Sequence, residues 1–465
     1  MMKSIQHNSS TPLRLWIALI LGLCSIGLYA QEKPVPKVWT LPEAIAYGME
    51  NNRQIRNADI EVQRAIKEKW KTITTGLPQI SASSEYSNFL RLPVSLIPAE
   101  FFGGQAGDFA EVQFGTEQNL VGSVRWDQLI FDGSYIVGLQ ASRVYLQISE
   151  NLFEKTQLEV KKGIVQAYAA VLFADENVAV TLNNKTALER TLAELHALFR
   201  NGFEEEESVE QMRLTLAGIE SQLRYARRMQ KVTRGYLALL LGLDPDQPMA
   251  LQETLEDLLL EANASQFRTA EADLNNNSDV KIAQNDLSSE KLLYKLEKSK
   301  ALPRLSAFLS GTYTGNSNTF NFLNSDQKWF GSSLFGLSLR IPIFSSLGRS
   351  ASSQMAKLSV LKAENELTQT EDRIRLEIQQ SESALELALE NYSTQKENLS
   401  LAERIEQKNR TKFFEGISSA FELRQAQLQL YSAQNQLLRA IQDVVNSATA
   451  LETLLNSPQP ENTQQ

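Results

Sequence analysis

The chain has 465 residues, with 46 Lys and Arg against 55 Asp and Glu, a net charge of −9, one cysteine and two histidines. That acidic balance argues against a nucleic-acid partner, and the Cys and His count excludes a disulfide framework or a Cys/His zinc site. Beyond the N-terminal segment no stretch approaches the roughly 18 consecutive apolar residues of a membrane-spanning helix, so a bilayer crossing would have to be made by strands closed into a barrel.

In chain order, Lys3 and Arg14 precede an apolar and small-residue run from Leu15 to Ala30, followed by Gln31-Glu32-Lys33-Pro34. This is the pattern of a secretory signal peptide over residues 1–30, with the mature protein starting near Gln31. Leu23 stands before Cys24, where a lipoprotein signal carries a small residue, so no lipid is expected there. Cys24 and His7 leave with the signal. The 46 basic residues lose Lys3 and Arg14, which leaves 44 against 55 acidic ones, a net of −11. His196, the remaining histidine, reads as solvated on a polar helix.

The rest of the chain reads as two copies of one unit, and internal repeats come before any residue-level motif. Asn51-Asn52 leads to Leu77-Pro78-Gln79-Ile80-Ser81, and Asn276-Asn277 leads to Leu302-Pro303-Arg304-Leu305-Ser306, each pair displaced by 225 positions. Leu129-Ile130-Phe131 matches Pro342-Ile343-Phe344 at 213, and Gly202 matches Gly416 at 214. The first copy therefore carries about a dozen additional residues between its strands.

Periodicity assigns the elements. Thr40-Leu41-Pro42-Glu43 predicts a capping box opening one helix toward residue 74. A period of two follows: Ile80, Ala82 and Tyr86 alternate with Gln79, Ser81 and Glu85, and Leu305, Ala307, Leu309 and Tyr313 with Ser306, Ser310 and Thr312. Return strands are predicted at Val124 and Trp126, and at Phe335, Leu337, Leu339, Ile341 and Ile343 alternating with Gly336, Ser338 and Arg340. Four strands in two hairpins result, with tips near 90–117 and 315–328. Helical patterns then run from Tyr135 to Asn201 and from about Ala351 to Glu415, each about 100 Å long at 1.5 Å per residue. Each stops at a glycine, and a second long helix returns. Met212, Leu216, Ile219, Leu223 and Ala226 have the 4-3-4-3 spacing of a coiled-coil seam, repeated 214 positions on as Ala426, Leu430, Ala433, Leu437 and Ala440. Asp244 to Ser278 is polar and acidic, with a short apolar helix near Leu251–Leu260. The tail from Ser457 reads as disordered.

Four strands cannot close a barrel, since the smallest membrane barrels have about eight. Several copies must pool strands, with the alternating Leu, Ile, Val, Tyr and Trp set toward lipid and the Ser, Thr and Arg set toward water. On that reading Leu339 faces lipid and Arg340 the lumen. An enzyme would need a nucleophile or metal constellation, and the sequence displays none, so neither catalysis nor a cofactor is expected. A periplasmic coiled-coil adaptor or scaffold without a pore would explain the helices but not the strands.

On Trp39-Thr40-Leu41-Pro42-Glu43-Ala44 with Asn51-Asn52, the Leu-Pro strand openings, Pro342-Ile343-Phe344, and the tip Gly416-Ile417-Ser418-Ser419-Ala420-Phe421-Glu422, the chain resembles the TolC family of outer-membrane efflux proteins over residues 38–456. The resemblance implies a mainly α fold with a membrane β-barrel. A duplicated unit of two strands plus long coiled-coil helices is pooled in a trimer into a 12-stranded barrel and an α-helical tunnel. The expected organisation is a signal peptide (1–30), a first repeat (31–241, strand hairpin 77–131, long helical hairpin 135–241), an equatorial linker (242–275), a second repeat (276–456, strand hairpin 302–344, long helical hairpin 350–456) and a tail (457–465). The resemblance further implies an outer-membrane exit duct of a tripartite efflux or type I secretion system, its helical part in the periplasm. Its partners would be a periplasmic membrane-fusion adaptor, an inner-membrane RND or ABC transporter, and outer-membrane lipid.

The family's acidic constriction falls on Glu422 and Gln425, of which only the first keeps the charge. Adaptor-contacting tips fall at Gly202, Gly416 and Ser419. The family's closed-state latch of Tyr, Arg and Asp falls on Phe413, Ser418 and Ser208, so that latch is absent. At the first tip Glu204, Glu205, Glu206 and Glu207 read either as a solvated charge run or as an electrostatic filter at the entrance.

Overall fold

The computed structural model describes residues 38–264 and 274–455. The expected signal peptide and the tail from 457 lie outside the described residues. β1 (Val38–Trp39) leads into α1 (Leu41–Asn51), which starts at the expected capping box: Glu43 N donates to Thr40 Oγ1 at 3.3 Å, and Thr40 N to Glu43 Oε2 at 3.2 Å. The single helix expected toward residue 74 is instead two, because Asn52 adopts an extended backbone (φ −61°, ψ 132°) and starts α2 (Arg53–Thr74). Its side chain explains the break. Oδ1 accepts from Gln54 N (2.7 Å) and Ile55 N (3.3 Å), while Nδ2 donates to Leu240 O at 2.7 Å. The cap thus satisfies orphan amides at one helix start and an orphan carbonyl at another helix end.

β2 (Gln79–Asn88), β3 (Val94–Pro98), β4 (Phe109–Gln113) and β5 (Gln118–Asp132) follow, then α3 (Gly133–Arg200) and α4 (Glu206–Leu241). β6 (Ala250–Leu251) and α5 (Leu255–Ala264) belong to the linker, so its helix begins four residues later than expected. The second copy comprises α6 (Ser278–Ser299), β7 (Arg304–Ser317), β8 (Trp329–Arg340), α7 (Gly348–Phe414) and α8 (Ala420–Leu455). Asn277 repeats the device of Asn52, capping Asp279 N (2.9 Å) and Val280 N (3.3 Å) and donating to Leu454 O at 2.9 Å. The duplication thus extends to individual hydrogen bonds.

One antiparallel sheet has the order β2-β5-β7-β8. Two expectations for it are corrected. The first-copy tip is not loop alone, because β3 and β4 form a further hairpin with Leu96 opposite Glu111. β8 ends at Arg340, short of the expected Ile343, because Pro342 has no N–H to offer the ladder. The first copy has Leu129 at the matching position, and there β5 runs on to Asp132 through an irregularity between Leu129 and Phe131.

α3 and α7 span 68 and 67 residues, about 100 Å each. α3 packs on α4 and α8, and α8 on α7, giving the lateral order α4-α3-α8-α7. A collar core gathers Trp39, Ile164, Tyr168, Leu241, Leu258 and Val444 where β1, α1 and the linker meet the long helices. Tyr168 is fully buried; its hydroxyl bonds Trp39 O at 3.0 Å and the Glu253 carboxylate, whose other oxygen accepts from Leu41 N at 3.1 Å. Burial, and then the hydrogen bond to the Glu253 carboxylate, push the Tyr168 phenol well above its usual range. A second core, around Leu188, Met212, Phe413 and Leu423, closes the far end of the helices.

Candidate functional site

The sheet has two unlike faces. Register puts Ile80, Val124, Trp126, Leu309, Leu337 and Leu339 on one side. The other carries Ser81, Ser83, Arg125, Asp127, Ser310, Thr312, Ser338 and Arg340, interrupted by Val121, Phe308, Phe330 and Leu334. Leu339 and Arg340 therefore stand on opposite faces, as the alternation predicts. Arg125 Nε holds Asp127 at 2.8 Å, and its guanidinium lies 4.4 Å from the centre of the Phe308 ring. That ring covers Gly336, where a Cβ would fall 2.5 Å from Phe308 Cζ, so the aromatic is laid flat on the polar face. The outer sides of β2 and β8 have no strand partner among the described residues. An edge of unpaired N–H and C=O groups, next to an apolar face left open, is what further strands and an apolar surround would complete.

At the far end of the helices Gly202 (φ 77°) and Gly416 (φ 72°) occupy the left-handed region as helix terminators, which is why glycine is found at both. The tips are level. Asn184 Nδ2 bonds Gln434 Oε1 at 2.9 Å, each 18 residues from its tip glycine (202 − 184, 434 − 416). Gln427 Nε2 bonds Thr191 Oγ1 at 3.3 Å, each 11 away (427 − 416, 202 − 191).

Glu422 lies exposed at the second tip and is already engaged. Its Oε2 accepts from Ser418 Oγ at 2.5 Å and from Ser419 N at 3.1 Å, while Glu422 N donates to Ser419 Oγ at 3.3 Å. This is a capping box on α8, carried by Ser419-x-x-Glu422. The Ser418 hydroxyl first, then the Ser419 amide, hold the Glu422 carboxyl below its usual range. Gln425 is exposed and has no hydrogen bond among the described residues.

At the first tip Glu204 is half-buried and Glu205 stands at the N-cap of α4 without a side-chain cap bond. Glu206 and Glu207 occupy its first turn, where carboxylates complement the helix dipole, and Glu207 Oε1 accepts from Gln211 at 2.7 Å. Of the three latch positions, Phe413 is buried in the tip core, Ser418 bonds Glu422 and Ser208 is half-buried. None forms an ionic link among the described residues.

Residues 270–457 match the family model described as outer membrane efflux protein. No protein with a curated description matches the chain. Among solved structures the chain is similar to CusC, whose structures concern folding and transmembrane channel formation (TM-score 0.72, 18% identity, 89% of this chain and 91% of that one). It is also similar to the outer membrane protein VceC of Vibrio cholerae (0.69, 14%, 89% and 95%) and to the CmeC outer membrane channel of Campylobacter jejuni (0.70, 17%, 98% and 93%). At these identities the likeness establishes the fold of an outer-membrane channel subunit along nearly the whole chain. The family match covers its second repeat.

Proposed function

We propose that this chain, with its second repeat matching outer membrane efflux proteins and its fold that of their channels, is the outer-membrane exit duct of a tripartite efflux or type I secretion assembly. The observation that carries this reading is the two-faced, open-edged sheet continued by level helical hairpins about 100 Å long. Three copies pool twelve strands into a barrel seated in outer-membrane lipid, and their helices extend through the periplasm as a tunnel. Substrates handed over by an inner-membrane RND or ABC transporter and a membrane-fusion adaptor pass through without chemistry. The tips at Gly202, Gly416 and Ser419 are where the adaptor engages, and Glu422 with Gln425 faces the narrow end.

The experiment is insertion of the purified protein into planar bilayers, paired with its oligomeric mass in detergent. Discrete conductance steps from a trimer are expected. A monomer that leaves the bilayer silent would sink the proposal. Within a conducting trimer, Glu422→Ala is expected to weaken cation preference, because a ring of carboxylates in a narrow pore favours cations. If only Gln at 204–207 did so, the filter would belong to the first tip.

A further inference from the structure

We propose that Arg304 and Arg340 form an anion-binding waist in the lumen where the barrel meets the helical tunnel, taking cargo that carries several phosphate or carboxylate groups. The inference rests on the multi-copy channel reading. Arg304 at the start of β7 and Arg340 at the end of β8 are register partners on the polar face of the sheet. Cβ atoms of such partners lie about 4.5–5.5 Å apart, and like charges so placed destabilise a sheet. Rows farther up avoid the conflict, pairing Ser306 with Ser338 and Thr312 with Ser332. Two arginines side by side are therefore a cost that folding alone does not explain.

The local carboxylates leave this charge uncancelled. Arg304 Nε stands 3.5 Å from Asp132 Oδ2, with 60% of the arginine side chain exposed. Asp132 is already shared, because its Oδ1 caps α3 by accepting from Ser134 N (2.7 Å) and Tyr135 N (3.3 Å). Arg340 is exposed and has no hydrogen bond or ion pair among the described residues. A third arginine, Arg349, reaches back from the start of α7 to Pro342 O at 2.9 Å and adds its charge to the same joint. Asp127, the next acidic side chain up the polar face, is held by Arg125 at 2.8 Å. Each copy thus brings three arginines and one shared carboxylate to the joint, a net of +2 (3 − 1) in a chain of net −9.

Chemistry sets what would fill the waist. A guanidinium offers a planar fork of donors that matches phosphate and carboxylate oxygens two at a time. One exposed arginine holds a lone anion weakly. Three pairs around one bore hold a cargo bearing several anionic groups far better, since its second contact is intramolecular. The acidic tips lie the length of α3 away, about 100 Å, against a screening length of about 8 Å at ordinary salt. Tip and waist therefore act on passing cargo separately.

The test is block of the single-channel current by inorganic triphosphate at about 0.15 M salt, with orthophosphate as the probe of lower charge. Triphosphate is expected to half-block the wild type at a concentration about tenfold or more below that of orthophosphate. Arg304→Gln and Arg340→Gln are each expected to raise the half-blocking triphosphate concentration about tenfold, measured on variants that still run as trimers in detergent. Arg340→Lys, which keeps the charge and loses the fork, should fall between. Arg125→Gln, whose guanidinium is taken up by Asp127 and Phe308, should be blocked as the wild type is. A conducting wild type that triphosphate does not block, or a block unmoved by either glutamine at 304 and 340, would overturn the waist and leave the channel reading standing. Equal relief by Arg125→Gln would place the anion elsewhere on the polar face and sink the proposal too. A silent, monomeric wild type would remove both readings.

Discussion

The collar and the sheet are both rich in aliphatic and aromatic side chains, with opposite fates in one protomer. In the collar Trp39, Ile164, Tyr168 and Leu241 are at most 1% exposed. In the sheet Ile80 is 74% and Leu339 60% exposed. The collar finds its partners within the chain, because the linker folds back so that Glu253 meets Tyr168 and Leu41. The sheet cannot, since four strands supply one apolar face and two open edges. The collar can thus make the protomer a folded body, while the sheet leaves its apolar face and its two edges unsatisfied within the protomer.

This contrast can be broken at its strong end first. Ile164→Ala empties the middle of the collar and is expected to cost about 2–5 kcal/mol, read as a lowered urea midpoint of the helical signal. If the midpoint stays put, the collar is not what holds the protomer. Leu339→Arg is expected to cost about 2–4 kcal/mol at mid-membrane, lowering the yield of barrel while leaving that helical midpoint unchanged. Equal tolerance of charge at 339 and 340 would refute the assignment of faces.

Smaller effects sharpen the picture. Asn52→Ala and Asn277→Ala each remove a helix cap and a tie to the returning helix, and about 1–2 kcal/mol is expected for either. Unequal losses would show that the two copies no longer share the work. The smallest effect belongs to Glu422. Its folded-state pKa is depressed, so the cap is complete above about pH 4.5, the unperturbed value, and is lost as pH falls through the depressed value. The protection factor of the Ser419 amide, which donates to that carboxylate, should therefore fall on acidification in the wild type. In Glu422→Gln it should be insensitive to pH over that range; an unchanged acid response there would point to a different titrating group.

Much of the architecture was legible because it rests on short-range periodicity. Ile80 and Leu337 announce their faces by alternation, and Met212, Ile219 and Leu223, these three buried, announce a helical seam. The break at Asn52 was not, since the helical pattern continues across it and the reason for stopping is Leu240, 188 positions away. The additional hairpin of β3 and β4 was equally hidden, its strands being five residues each and lacking a clean alternation. At the second tip Glu422 caps its helix through Ser419-x-x-Glu422, a local motif present in the sequence.

The sequence by itself determined the duplication, the two unlike faces of the strands, the length of the helices and their glycine stops, because each depends on side-chain character repeated at the period of one backbone conformation. Only the tertiary structure decided the order of the four strands, the level of the two tips and the lateral order of the helices. It alone joined Tyr168 to Glu253 across 85 positions. Those features depend on which surfaces meet, and burial and hydrogen bonding are settled between residues that sequence spacing leaves unrelated.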